Sequence, residues 1–165
     1  MTKDEMKKVV CQAIDEAAEK IHETVLRIES EPELGYKEMK TAAKVESYMK
    51  ELGLTPQTGL ALTGVKTCVD GGKKGPAVAV LAELDAVGTP DSPKADPLTG
   101  AAHTCGHFLQ MASMLAACTG IVRSGVMRDL AGSAVFFAVP AEEYVEIDYR
   151  KRLVKEGKIH FLGGK

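Results

Sequence analysis

Apolar residues recur at steps of three and four through the first 29 residues: Val9, Val10, Ala13, Ala17, Ile21, Val25 and Ile28, with charges between them. That period lays one apolar stripe along a helix, and it predicts continuous helix up to the break at Glu31-Pro32. A second amphipathic helix is predicted over 37–52, on Ala42, Val45, Met49 and Leu52, with Gly53 as its C-terminal stop. The pattern then changes. Residues 63–69 are rich in β-branched side chains, 70–75 (DGGKKG) are a turn signal, and 77–84 (AVAVLAEL) form a nearly continuous apolar run. Such a run predicts a strand covered on both faces. Residues 87–100 read as a Pro/Gly/Asp loop, 108–123 as an apolar helix ending near Gly125, and 134–139 as a second short buried strand halted by Pro140. Strand, helix and strand in that order predict a right-handed βαβ unit with a parallel pair. The expected class is α/β, a mixed, largely parallel sheet flanked by helices. No repeat or linker divides 1–165, so one domain is expected.

Composition narrows the partners. With a formal net charge of −2 and 5% aromatic residues, the chain has no basic, aromatic-interleaved patch, and neither nucleic acid nor an anionic membrane is expected as partner. The first 20 residues are charged and lack the apolar segment of a secretory signal, and no apolar run is long enough to cross a bilayer. Cys11, Cys68, Cys105 and Cys118 lack the spacing of a disulfide framework. Free thiols and a cytoplasmic location are the expectation.

Three polar clusters stand where chemistry is expected. Glu83 and Asp85 end the first apolar strand, His103-Thr-Cys-Gly-His107 leads into the long helix, and Glu142-Glu143 follow the second apolar strand. In an open α/β sheet the binding crevice lies at the C-terminal strand ends, so all three should converge on one edge. Cys105 and His107 offer a thiolate and an imidazole ahead of a helix N-terminus, and with a carboxylate they suit Zn²⁺ or a similar ion. The residues alone also fit a buried cysteine beside polar loop histidines. The glutamate pair divides naturally into one ligand and one general base, or forms a solvated acidic loop. Asp85 either orients an imidazole ligand or caps a turn. A third chemistry uses Cys105 as a nucleophile with His103 or His107 as base, but leaves the glutamates without a task.

Taken together, four segments resemble the M20 metallopeptidase/amidohydrolase family, most closely its branch that hydrolyses N-acyl amino acids. Residues 31–38 (EPELGYKE) resemble its PELG-F/Y-x-E signature, and 82–86 (AELDA) are similar to its A-D-x-D-A strand end. Residues 103–107 (HTCGH) match its H-x-C-G-H loop, and 139–143 (VPAEE) match its x-P-A-E-E motif. The resemblance implies metal ligands at Cys105, His107 and Glu143, a general base at Glu142 and a supporting carboxylate at Asp85. It implies hydrolysis of a small amide substrate by metal-activated water, with Zn²⁺ or Mn²⁺, two ions in the complete enzymes and at most one expected here. It also implies that 1–165 is the N-terminal part of a zinc-peptidase-like catalytic domain, without the lid or dimerisation domain and the rest of the catalytic domain. Little activity of its own is then expected, and homo-oligomerisation or association through exposed sheet edges is. Phe108 and Gln110 replace an Asp and a His of the family loop, and Glu83 replaces an Asp. His160, the only histidine after Glu143, matches no family ligand motif and stays outside the metal set. The alternative is a non-catalytic interaction or regulatory module of the same ancestry.

Overall fold

The computed structural model describes residues 1–163; Gly164 and Lys165, the end of the expected domain, lie outside the described residues. Helix α1 (Lys3–Asp15) starts with a reciprocal cap. The Thr2 hydroxyl accepts from the Glu5 N–H at 3.3 Å, and the Glu5 carboxylate accepts from the Thr2 N–H at 2.7 Å. The single helix expected over the first 29 residues is two, because the chain turns at 16–17 before α2 (Ala18–Glu29). Ala13, Ala17, Ile21, Val25 and Ile28 are buried on both sides of that turn, so the apolar stripe passes through the break and periodicity does not register it. Helix α3 (Met39–Glu51) begins two residues later than expected. The Glu33 carboxylate sets that start, accepting from the Lys40 N–H (3.1 Å), the Thr41 N–H (2.8 Å) and the Thr41 hydroxyl (2.9 Å).

Strands β1 (Gln57–Leu60), β2 (Gly64–Asp70) and β3 (Lys73–Glu83) follow, then a small ladder of β4 (Val87–Gly88) and β5 (Ala101–Ala102) that closes the expected loop. Helix α4 (His107–Ser124), a 3₁₀ turn (Val126–Asp129), β6 (Ala131–Val139) and α5 (Ile147–Lys155) complete the chain. Neither β1 nor α5 was legible: β1 is mostly exposed, and α5 buries an arginine, Arg150, beside Leu153, which hides its inner face from a hydrophobicity count.

The main sheet has the order β1-β2-β6-β3. β6 lies between its neighbours, antiparallel to β2 and parallel to β3, with α4 as the crossover of the expected βαβ unit. The mixed α/β class is as expected. Val65, Phe136, Ala138 and Ala82 on one sheet face join Ile28, Val45, Met49, Met111, Met114 and Leu115 from the helices in one core. The opposite face, with Cys68 and Leu81, takes no part in that core. The expectation that 77–84 is covered on both faces is therefore wrong. β3 is an edge strand with helices on one side, and Leu81, on the other side, is 59% exposed.

A smaller core gathers Tyr36, Ala141, Leu153 and Ile159 around the chain that leaves β6. Glu38 sits beside it with no exposed surface, accepting from the Thr63 hydroxyl at 2.7 Å and the Ala141 N–H at 2.8 Å. Burial raises its carboxyl pKa above the ordinary value, and the two hydrogen bonds only partly offset that. A raised carboxyl contributes stability that is full below the unfolded pKa and lost as pH rises through the folded one. Glu38→Gln, which can keep one acceptor for Ala141 and one donor for Thr63, is expected to gain on the parent protein as pH rises from about 4.5. Urea midpoints measured across pH check this, and parallel curves would refute it.

Candidate metal centre

The parallel register sets Glu83 opposite Val139, and the Leu84 N–H donates to the Val139 carbonyl at 2.9 Å, so β3 and β6 end level. Asp85 and Glu142-Glu143 leave those two ends side by side. Between them stands the N-terminus of α4, whose first residue is His107. Gly106 precedes it at φ +88°, a left-handed conformation that a side chain disfavours, and this turn lets Cys105 and His107 face the same space.

His107 is 4% exposed and ringed by acids. Its Nδ1 donates to the Asp85 carbonyl at 2.9 Å and lies 3.4 Å from Asp85 Oδ1. A carbonyl only accepts, so Nδ1 carries a proton, and Nε2 is the nitrogen turned to the carboxylates. Nε2 lies 2.8 Å from Glu83, 3.6 Å from Glu142 and 3.9 Å from Glu143. Burial works against a charged imidazole, yet the bonds to Asp85 and Cys105 outweigh it and push His107 up to about 11. Glu142 is raised as well, by burial first and then by repulsion from Glu83 and Glu143.

The residues named from sequence come together. One donor atom each from Cys105, His107 and Glu143 lie within 4.8 Å of one another, as do atoms of Glu83, His107 and Glu142. Asp85 has no exposed surface; its Oδ2 accepts from the Glu143 N–H at 2.9 Å, and its Oδ1 has no hydrogen-bond partner among the described residues. A thiol, an imidazole and several mutually repelling carboxylates around one point fit a divalent cation, which would take the place the imidazole proton holds among the acids. Glu83 belongs to this cluster although it stands outside the ligand set that the resemblance implies, and its place at the strand end is the sequence signal for it. His103 is buried, with both ring nitrogens unpartnered among the described residues. Burial, then repulsion from His107, pushes its pKa down to about 4. Phe108 packs on its ring at a centroid distance of 5.9 Å, whereas Gln110 and His160 are exposed.

No model of a known protein family matches the sequence. Single proteins do. The chain is 32% identical over 142 residues to a putative amidohydrolase of Bacillus subtilis, covering 84% of this chain and 35% of that protein. It is 30% identical over 119 residues to an N-acetylcysteine deacetylase of the same organism, covering 68% of this chain and 30% of that one. A dinuclear metal-binding peptidase from Bacillus subtilis, of the M20 family, has the same fold, with TM-score 0.65 and 24% identity over 84% of this chain and 39% of its own. The chain belongs to the M20 family. It spans about a third of the length of the curated relatives it matches. In this M20 chain the signature 31–38 supports the segments that carry the site, through the Glu33 and Glu38 hydrogen bonds and a bridge between Leu34 and Ala86. Among the described residues no helix is long and apolar enough to cross a membrane.

Proposed function

We propose that this M20 chain carries the metal-holding part of a hydrolase of amide bonds, acting on N-acyl amino acids or similar dipeptide-like amides. The observation that carries the reading is the convergence of Cys105, His107 and Glu143 donor atoms within 4.8 Å. Those three residues hold a divalent cation of the zinc or manganese kind. When bound, such an ion supplies Lewis-acid chemistry, polarising a carbonyl and making nearby water more acidic. Glu142, half exposed beside them, takes the proton from the attacking water and later returns it to the leaving amine. Asp85 keeps His107 in one tautomer through its carbonyl and holds the Glu143 backbone through its carboxylate. A relative that deacetylates N-acetylcysteine supports the N-acyl amino acid class.

Both candidate ligand triads use His107, so the described residues complete one coordination shell at a time. The 165-residue chain is therefore expected to bind one Co²⁺ or Zn²⁺, with little hydrolysis by itself. A Co²⁺ titration followed by absorption should show one site with a thiolate-to-metal band that Cys105→Ala removes. Two tight sites with turnover of an N-acyl amino acid would overturn the single-shell reading, and a site without the thiolate band would overturn the ligand assignment.

The open edge and open face of β3 support a second part of the proposal, association with another chain or a further segment through Leu81. Leu81→Lys should lower self-association in sedimentation equilibrium; identical weight-average masses for the two proteins would remove this reading.

A further inference from the structure

Ala141 is the residue before the glutamate pair, and it is held in a conformation it does not favour. Its φ is +57°, in the left-handed region that a residue with a Cβ disfavours. Two buried side chains from distant elements grip the peptide groups on either side of its Cα. The Ala141 N–H donates to Glu38 Oε1 at 2.8 Å, from the start of α3. The Ala141 carbonyl accepts from Arg150 Nη1 at 3.1 Å, from α5, and the same nitrogen donates to the Leu162 carbonyl at 2.7 Å. Neither Glu38 nor Arg150 has any exposed surface. Arg150 has no ion-pair partner among the described residues and lies over the Tyr36 ring at 5.4 Å. Burying an arginine without a carboxylate is costly, and a hydrophobic residue of similar size would be cheaper if packing were all that was required.

We infer that Glu38 and Arg150 are positioning residues that clamp Ala141 and thereby fix where Glu142 and Glu143 face His107. Two residues on, the Glu143 N–H is tied to Asp85 Oδ2 at 2.9 Å. The backbone from 141 to 143 is thus pinned at three atoms, while the Glu142 and Glu143 side chains keep 47% and 31% exposure and their nearest named partner is the His107 ring. Their reach toward the cluster is set by the backbone, and the backbone is set by the clamp. Neither clamp residue belongs to the candidate donor groups found among the described residues. The inference rests on the metal reading above for its consequence, but the clamp itself can be read without metal.

The test uses the 165-residue chain and four proteins: the parent, Arg150→Met, Glu38→Ala and Glu38→Gln. Co²⁺ affinity is measured by titration, backbone protection of 141–143 by amide hydrogen exchange without metal, and folding by circular dichroism. Arg150→Met and Glu38→Ala are expected to remain folded, to bind Co²⁺ about ten-fold or more weakly, and to lose protection at Ala141 and Glu143. Glu38→Gln, which keeps the acceptor for Ala141, is expected to restore both. Folded variants with parental affinity and parental exchange overturn the inference. Lowered stability with unchanged affinity and exchange also overturns it, since that is a merely structural role. If the parent binds no Co²⁺, the metal reading fails, and exchange alone decides the clamp: protection lost in Glu38→Ala and kept in Glu38→Gln supports it, and unchanged protection overturns it. If Arg150→Met does not fold, the Glu38 pair decides in the same way.

Discussion

His107→Ala is expected to weaken Co²⁺ binding by about a hundred-fold or more, a larger loss than any other single change at the cluster. The reason is topological as well as chemical. Glu83, Glu142, Glu143, Asp85 and Cys105 all lie around this one ring, and both ligand triads share it. Cys105→Ala leaves the Glu83, His107 and Glu142 group intact, so it should abolish the thiolate band but retain some affinity. His107→Ala leaves neither group. Without metal, the same change leaves the Asp85 carbonyl with only the Cys105 thiol at 4.0 Å and the carboxylates with no cation among them, which is expected to cost about 1–3 kcal/mol of folding stability near neutral pH. Calorimetric titration and urea unfolding of the variant check both parts. Parental Co²⁺ affinity in folded His107→Ala would show that the cation binds elsewhere.

Gly35→Ala is the second large effect, and it arises away from the donors. A Cβ at position 35 would stand 2.3 Å from Arg150 Nη2 and 2.9 Å from the Ala141 Cα and Cβ. The arginine is buried and tied to two carbonyls, and the Ala141 contact is backbone, so neither neighbour can move aside freely. Overpacking of this kind costs about 1–3 kcal/mol. The urea midpoint should fall with the slope unchanged. Combined with Arg150→Met, the losses should be less than additive, because that substitution removes one of the two clashing groups. Strict additivity would mean that Gly35 and Arg150 do not share the contact. The glycine of the 31–38 signature is thus required by the close approach of an arginine more than a hundred positions later.

What the sequence made legible was whatever repeats with a period or ends a strand. The apolar runs at 77–84 and 134–139 and the helix between them identified the βαβ unit, and strand-end logic then brought Asp85, Cys105, His107 and Glu142-Glu143 to one rim. The turn at 16–17 was hidden because Ala13, Ala17 and Ile21 stay in phase through it. β3 looked doubly covered because alanine and valine are apolar whether or not a second layer lies over them; its edge position is a property of strand order, which pattern alone does not carry. Helix α5 was missed because its inner face is Arg150, which counts as surface in any hydrophobicity scale. Glu38 and Arg150 are far apart in sequence and bracket a peptide group, so no local motif announces that they act on the same atom pair. Glu83 stands where the family strand end has an aspartate, and that departure hides its place in the cluster.

The placement of β6 has a consequence for how the molecule assembles. It is the hydrogen-bond partner of both β2 and β3, yet it is made after both of them and after the long crossover helix. As the polypeptide leaves the ribosome, the N-terminal helices can form on local contacts, but β2 and β3 lack the strand they both pair with until Ala131–Val139 emerges. Sheet closure is then a late, long-range event, and the rim that gathers the candidate ligands comes into being only at that moment, since its two walls are the ends of β3 and β6.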